Sequence, residues 1–260
     1  MITAVRATRF VTPLREGGSL PGVVEADDDG IYVTKFRGAG QGLKALVAEV
    51  VVGELARRLR LRTPELRVIQ LDAAIGRYEA DEEVQDLLTA SVGLNLAVDF
   101  LPGSFGWDAS CPLDSADAAR ILWLDAFTAN VDRSWRNPNL LVWHDQVWLI
   151  DHGASLYFHH SWASPTSAAA AFAEQRYDAT DHVLIERLGD AATELSRADA
   201  DLAEQVTPTL LADTLAQVPD EWLEPTPGFD TPAQVRRRYV EYLLARVRGE
   251  RRWLPREPAR

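Results

Sequence analysis

The chain has 260 residues, 47% hydrophobic and 25% charged, a balance that suits a folded protein and excludes a long disordered one. Its 39 acidic residues against 27 basic ones give a formal net charge of −12, which argues against sequence-independent nucleic-acid binding and against an anionic membrane surface. The single cysteine, Cys111, excludes an internal disulfide and a cysteine zinc site, and no apolar run is long enough to span a bilayer.

The first residues lack the charged-then-apolar order of a secretory signal, so a cytoplasmic setting is expected. Ile2 to Phe10 alternates loosely and reads as a strand. Gly22 to Ala26 leads into Asp27-Asp28-Asp29-Gly30, and Ile31 to Phe36 follows as a β-branched and aromatic run, which together predict a hairpin. Among the basic residues only Lys35 and Lys44 are lysines; all others are arginine. After the glycine-rich Gly38-Ala39-Gly40-Gln41-Gly42, apolar residues at helical spacing (Leu46, Val47, Val50, Val51, Leu55) predict a helix from about Lys44 to Leu59. Glu65 to Leu71 returns to strand character. Glu79 to Asp86 reads as an exposed acidic stretch, and Leu94 to Leu101 as a further strand closed by Pro102-Gly103.

Beyond that point the pattern becomes helical. Asp114-Ser115-Ala116-Asp117 marks a helix start, and Ile121, Leu122, Leu124 and Phe127 continue it. Leu140 to Trp143 and Val147 to Ile150, separated by His144-Asp145-Gln146, predict a hairpin. Helices fill most of the remainder, the last from about Pro232 to Val247. Strands first and helices later give an α+β expectation in two lobes. Residues 1–101 form a β-rich lobe with one helix, and residues 102–260 a mostly helical lobe.

The stretch from Asp125 to Trp143 carries the chemistry. Asp132 stands in a loop, the amides Asn137 and Asn139 follow, and Asp151-His152-Gly153 comes after the hairpin. An acid, an amide, a hairpin and a second acid before glycine form a phosphotransferase arrangement. The first acid accepts or orients the proton of an attacking hydroxyl, while the amide oxygen and second acid suit Mg²⁺, a hard cation that takes oxygen ligands. Each residue alone is also an ordinary turn former; their order and spacing favour the site.

Lys35 lies on a strand and Glu49 on the helix after it, the pairing by which kinases hold a lysine against the α- and β-phosphates. Lys35 alone also suits an edge strand that resists sheet association, and Glu54 reads as a solvated helix residue. Gly17, Gly18 and Ser19, ahead of Lys35, are favoured as the loop over the nucleotide. Gly38 to Gly42, at a helix start, is a second phosphate contact. Neither is a Walker loop.

These residues together resemble the HipA-like kinases, bacterial kinases with a catalytic core similar to phosphatidylinositol kinases and, more distantly, protein kinases. The resemblance covers most of residues 17–160. It implies a two-lobed protein-kinase-like fold that uses ATP and Mg²⁺. Asp132 and Arg133 look like the family's catalytic Asp-Arg, Asp151 its metal-binding acid, Lys35 its nucleotide lysine and Glu49 the helical partner. Leu96 to Leu101 would be the hinge, with Asp99, Phe100 and Leu101 at the adenine. The family's spacing selects Asn137 as the metal amide, while the apolar strand after Asn139 favours Asn139; Asn139 is preferred and Asn137 kept second. The implied acceptor is a protein Ser/Thr hydroxyl. Full-size HipA toxins carry an extra N-terminal subdomain for which this chain has no room, which sets toxin behaviour and a DNA-binding antitoxin partner outside the expectation.

Two other readings compete. One is a non-catalytic nucleotide-binding module that kept the fold, disfavoured because every catalytic position is filled. The other is a metal-dependent hydrolase using His144, Asp151, His152, His159 and His160, which lack a recognised zinc spacing. The adjacent His159 and His160 read as surface, Cys111 as a small buried hydrophobe or a loop thiol, and Trp107, Trp123, Trp135, Trp143 and Trp148 as core or lobe-interface packing.

Overall fold

The first strand, β1 (Ala4–Pro13), pairs antiparallel with β2 (Gly22–Ala26), which turns back into β3 (Ile31–Lys35). The turn between β2 and β3 is held by Asp28, which accepts the Gly30 amide at 3.0 Å and the Tyr32 hydroxyl at 2.7 Å. Helix α1 (Gly42–Arg58) then leads to β4 (Leu66–Leu71), a second helix α2 (Glu82–Ala90) and β5 (Gly93–Asp99). The strand order β1-β2-β3-β5-β4 closes into a barrel, because β1 also pairs parallel with β4. This computed structural model describes residues 2–15, 20–77, 79–160, 168–226 and 228–255.

The barrel fills its own small core with Val24, Tyr32, Phe36, Ile69, Leu71 and Ala97 among others. Alternation along β3 sends Tyr32 and Phe36 inward, so Lys35 between them emerges on the opposite face, towards α1. Every residue of α1 from Ala45 to Ala56 is buried. Its apolar side chains join the larger core, which continues through the helices that follow. A helix buried all round has no solvent face, which is why Glu54, expected in water, lies buried with Arg57 as partner.

The acidic stretch before β5 leads into a helix, so the first hundred residues hold two helices instead of the one expected. Asp81 caps α2 by accepting the amides of Glu83 and Val84, and Glu82 and Glu83 suit the positive end of the helix dipole. Val84 and Leu88, one turn apart, bury into the barrel core.

Beyond β5, a short β6 (Phe105–Gly106) pairs with the hairpin of β7 (Leu140–Trp143) and β8 (Gln146–Leu149). His144 and Asp145 turn that hairpin with φ of 50° and 58°, the geometry of a two-residue turn. Helix α3 (Ser115–Thr128) precedes the hairpin; α4 (Ala168–Glu174), α5 (Ala191–Gln205), α6 (Pro208–Leu215) and α7 (Pro232–Arg248) follow it. Thr231 and Gln234 form a reciprocal cap at the start of α7. Trp107 and Trp123 are buried as expected, whereas Trp135 is 59% exposed and does not pack in the core. Among the described residues no helix is long and apolar enough to cross a membrane.

Candidate active site

Three charged side chains meet where the barrel faces the second sheet. The Lys35 ammonium donates to Glu49 Oε1 and, at 2.8 Å, to Asp151 Oδ1. The lysine and glutamate side chains are 14% and 4% exposed, while that of Asp151 is 43% exposed. Lys35 thus bridges a buried acid on α1 and an accessible acid beyond β8.

Burial works to lower the Lys35 pKa, but the two carboxylates outweigh it and raise the value above that of a free lysine. Burial raises Glu49 to about 7 against the pull of Lys35. Asp151 goes the other way. Burial opposes its ionisation, yet the lysine charge and hydrogen bond hold it down at about 2. Asp151 is therefore a carboxylate at neutral pH, as a metal ligand must be. Gly153 lets this triad close up: a Cβ there would stand 3.0 Å from Glu49 Oε1.

Asp132 lies in the loop after α3. Its Oδ2 accepts from Asn137 Nδ2 at 2.8 Å and from Asn139 Nδ2 at 3.0 Å. Both asparagines thus turn their amide nitrogens to the same acid, which leaves each amide oxygen facing elsewhere. They differ in setting. Asn137 is exposed, whereas Asn139 is buried, has φ of 49° and opens β7. The Ile150 amide donates to the Asn139 carbonyl at 3.1 Å, so the residue before β7 and the residue after β8 are partners across the hairpin base. Asp151 follows directly. The hairpin thereby brings Asn139 and Asp151 to one edge, an amide and a carboxylate oxygen donor that fit a small hard divalent cation.

Arg133 does not face outward beside Asp132. Its side chain is fully buried and its Nε donates to Asp125 Oδ2 at 2.6 Å. The same guanidinium donates to the carbonyls of Asn139 and, at 3.4 Å, Ile150, and it meets His152 Nδ1 at 3.3 Å. The Arg133 guanidinium is thus enclosed by these partners, with no side-chain exposure. Asp125 also accepts from Asn130 Nδ2 at 3.0 Å and lies 3.1 Å from His182 Nε2. Burial opposes ionisation of Asp125, but Arg133 and His182 overcome it and keep the pKa near 2. Sequence reasoning assigned no role to Asp125 or His182. The available signal was a charged residue inside the apolar run Ile121-Leu122-Trp123-Leu124-Asp125-Ala126-Phe127.

The remaining expected positions divide. The amides of Asp99 and Phe100 are already spent on the carbonyls of Glu65 and Ile31, at 2.9 and 3.1 Å. An adenine at this hinge therefore has the backbone around Leu101 to meet. Gly17, Gly18 and Ser19 lie outside the described residues. The second glycine segment borders a pocket that opens beside Lys35, with Ala39, Gln41 and Gly42 on one side and Ala45 and Glu49 on the other.

Of the histidines, His159 and His160 meet, with 3.1 Å between their Nε2 atoms, and the others have separate partners. His144 lies tilted against Trp143, His152 meets Arg133, and His159, buried rather than on the surface, meets Tyr239 at 2.9 Å. Burial pushes both His152 and His159 down to about 3, so each is neutral. Among the described residues no group of three or more His, Cys, Asp or Glu is arranged to hold a metal, which leaves the hydrolase reading without a centre. The exposed Trp135 stands three residues after Asp132, with the Arg136 guanidinium 4.1 Å above its ring.

The chain matches the family described as HipA-like kinase across residues 7–255. Among solved structures it is similar to the proinflammatory kinase CtkA of Helicobacter pylori, with a TM-score of 0.55 and 11% identity over 90% of this chain and 89% of that one. It is also similar to a Golgi casein kinase with Mn/ADP bound, with a TM-score of 0.48 and 13% identity over 100% of this chain and 77% of that one. The likeness to CtkA speaks for the fold, a mixed α/β architecture of kinase type. No curated protein matches the chain.

Proposed function

The chain belongs to the HipA-like kinase family, and from that premise we propose that it transfers the γ-phosphate of ATP to a hydroxyl, that of a protein serine or threonine. The observation that carries this reading is the triad in which Lys35 joins Glu49 to Asp151. A lysine held by a buried acid from the next helix is a fixed cation for the α- and β-phosphates. Residues 1–101 then serve as the nucleotide-binding lobe and residues 102–260 carry the catalytic and metal-binding loops.

Asn139 and Asp151 would hold Mg²⁺, with Asn137 as the second candidate. Bound there, the cation supplies neutralisation of charge on the phosphates. Asp132 accepts the proton of the acceptor hydroxyl, steadied by the two asparagine amides that donate to it. Arg133 keeps the loop in register with the end of β8. Adenine lies along the hinge at Asp99, Phe100 and Leu101. Gly17, Gly18 and Ser19, outside the described residues, stay the candidates for the phosphate loop, and the Gly38–Gly42 segment adds a contact from the side.

Radiolabelled transfer from ATP in the presence of Mg²⁺, onto the chain itself and onto protein acceptors, tests the proposal. Asp132→Ala should abolish transfer and leave nucleotide binding measurable by calorimetry. Asp151→Ala should weaken Mg-ATP binding. Transfer that survives both substitutions overturns the assignment, and tight Mg-ATP binding without transfer in the unaltered chain makes it a non-catalytic module.

A further inference from the structure

The carboxylate of Asp125 lies outside the set of residues that phosphoryl transfer calls for, yet it is one of the most completely enclosed charges in the chain, with no solvent exposure. It sits among apolar neighbours in the last turn of α3, where an ion is costly to bury and a hydrophobic residue of similar size would often be as stable. Both of its oxygens are engaged. Arg133 Nε and His182 Nε2 lie against Oδ2 at 2.6 and 3.1 Å, and Asn130 Nδ2 against Oδ1 at 3.0 Å. A carboxylate held on both oxygens cannot rotate, so the direction of the guanidinium is set by α3.

That direction matters because of what the guanidinium reaches. It donates to the carbonyls of Pro138 and Asn139 on one side of the hairpin base and of Ile150 on the other. Asn139 and Ile150 are the neighbours through which the amide and acid of the site are placed. The third partner, His182, comes from a segment that braces the same loop. Ser134 pairs with His182, Trp135 donates to Asp181 at 3.1 Å, and the Tyr177 hydroxyl donates to the Asn130 carbonyl at 2.8 Å.

We propose that Asp125 is a positioning residue for phosphoryl transfer, orienting Arg133 so that one guanidinium sets the spacing between the loop bearing Asp132 and Asn139 and the strand end bearing Asp151. This rests on the kinase reading above. Asp125 touches no substrate and acts through Arg133, so its removal disturbs the metal-facing edge while leaving the Lys35–Glu49 pair and the purine side of the site in place.

Asp125→Asn, which keeps the shape and removes the charge, tests this at a temperature where circular dichroism shows a folded chain. Mg-ATP turnover should fall at least about 100-fold. The gain in ATP affinity on adding Mg²⁺ should shrink about tenfold or more, while ATP affinity in EDTA changes less than about threefold. Arg133→Met should show the same losses, and the double variant no further loss, because the two act as one unit. His182→Gln, a milder change, should lower turnover about fivefold to twentyfold with ATP affinity in EDTA unchanged, and serves if Asp125→Asn does not fold.

Turnover and Mg²⁺ gain both retained in Asp125→Asn would overturn the proposal. So would losses in step with the unfolded fraction, additive losses in the double variant, or an inert His182→Gln. If the unaltered chain binds Mg-ATP without turnover, the kinase reading falls and the Mg²⁺ gain still tests Asp125; if it shows no Mg²⁺ gain, both fall.

Discussion

Lys35 and Glu49 form an ion pair between β3 and α1 in which neither side chain is more than 14% exposed. A lone charge left in such a place is costly, often about 3–5 kcal/mol when one partner of a buried pair is removed. Glu49 has a way out, because burial already raises its pKa to about 7 and it can take up a proton. Lys35→Met should therefore destabilise by less, about 2 kcal/mol at pH 7. Adding Glu49→Leu should return most of that loss, while nucleotide binding stays lost in both. Urea unfolding of the single and double variants measures the first effect and calorimetry with ATP the second. Lys35→Arg should not restore binding, because the planar guanidinium does not reproduce a compact ammonium on a flexible stem.

Acid should unfold the protein in two windows. His152 and His159 are buried, and burial lowers each to about 3, against about 6.5 for a free histidine. Between those values the unfolded chain binds protons that the folded chain refuses. Their stabilising contribution is thus complete above pH 6.5 and declines as pH falls, by about 1.4 kcal/mol per pH unit for each group. Asp125, held near 2, adds a second loss that starts only below pH 4. Glu49, raised to about 7, gains stability over the same range and offsets one of the two rings. Thermal melts from pH 7.5 to 4 should still show a falling midpoint, and His159→Gln should remove most of the slope. A flat profile over this range would contradict the buried neutral state of both rings.

The parts of the site that could be read from the sequence are those carried by short spacing. Lys35 and Glu49 lie on consecutive elements, and the Asp132, Asn139 and Asp151 series spans one hairpin whose turn residues mark it. Asp125 and His182 are 57 residues apart, and only the folded chain brings them together. Charge misled the reading twice. The acidic residues of α2 hide the one-turn spacing of Val84 and Leu88, and the charge of Glu54 suggests a surface place on a helix that has no surface face. For α2 periodicity is the better guide, since it reports which face an element buries, whereas composition does not; α1 is buried on every side, so neither signal places Glu54.

Arg246 is a test of how the helical part holds together. It is buried and, among the described residues, has no carboxylate partner, donating to the carbonyls of Phe172, Gln175 and Ala126 and lying over the rings of Phe172 and Trp253 at 4.3 and 5.3 Å. Burial pushes its pKa down to about 9, so it stays charged at neutral pH. Arg246→Lys keeps the charge but cannot serve three carbonyls on two sides, and each orphaned group costs about 1–3 kcal/mol. We expect a loss of about 2–4 kcal/mol in chemical denaturation. Turnover at low temperature should be unaffected, because none of these contacts reaches the site.

The two asparagines can be separated by experiment because they share a partner and differ in support. Each donates to Asp132 Oδ2, so either substitution removes one hydrogen bond from the acid. Only Asn139 is buried, and only its carbonyl is held by both Arg133 and the Ile150 amide. A ligand to a small cation needs such a fixed position, since Mg²⁺ tolerates little departure from octahedral geometry. Asn139→Asp should change the metal dependence of ATP affinity about tenfold or more, and Asn139→Ala should abolish transfer. Asn139→Ala should also lose about 1 kcal/mol of stability, because asparagine tolerates the positive φ of this position better than alanine does. Asn137→Ala should lower transfer only about threefold to tenfold and leave the Mg²⁺ dependence of ATP binding intact. Calorimetry at several Mg²⁺ concentrations reads this directly, and the reverse pattern would assign the metal to Asn137.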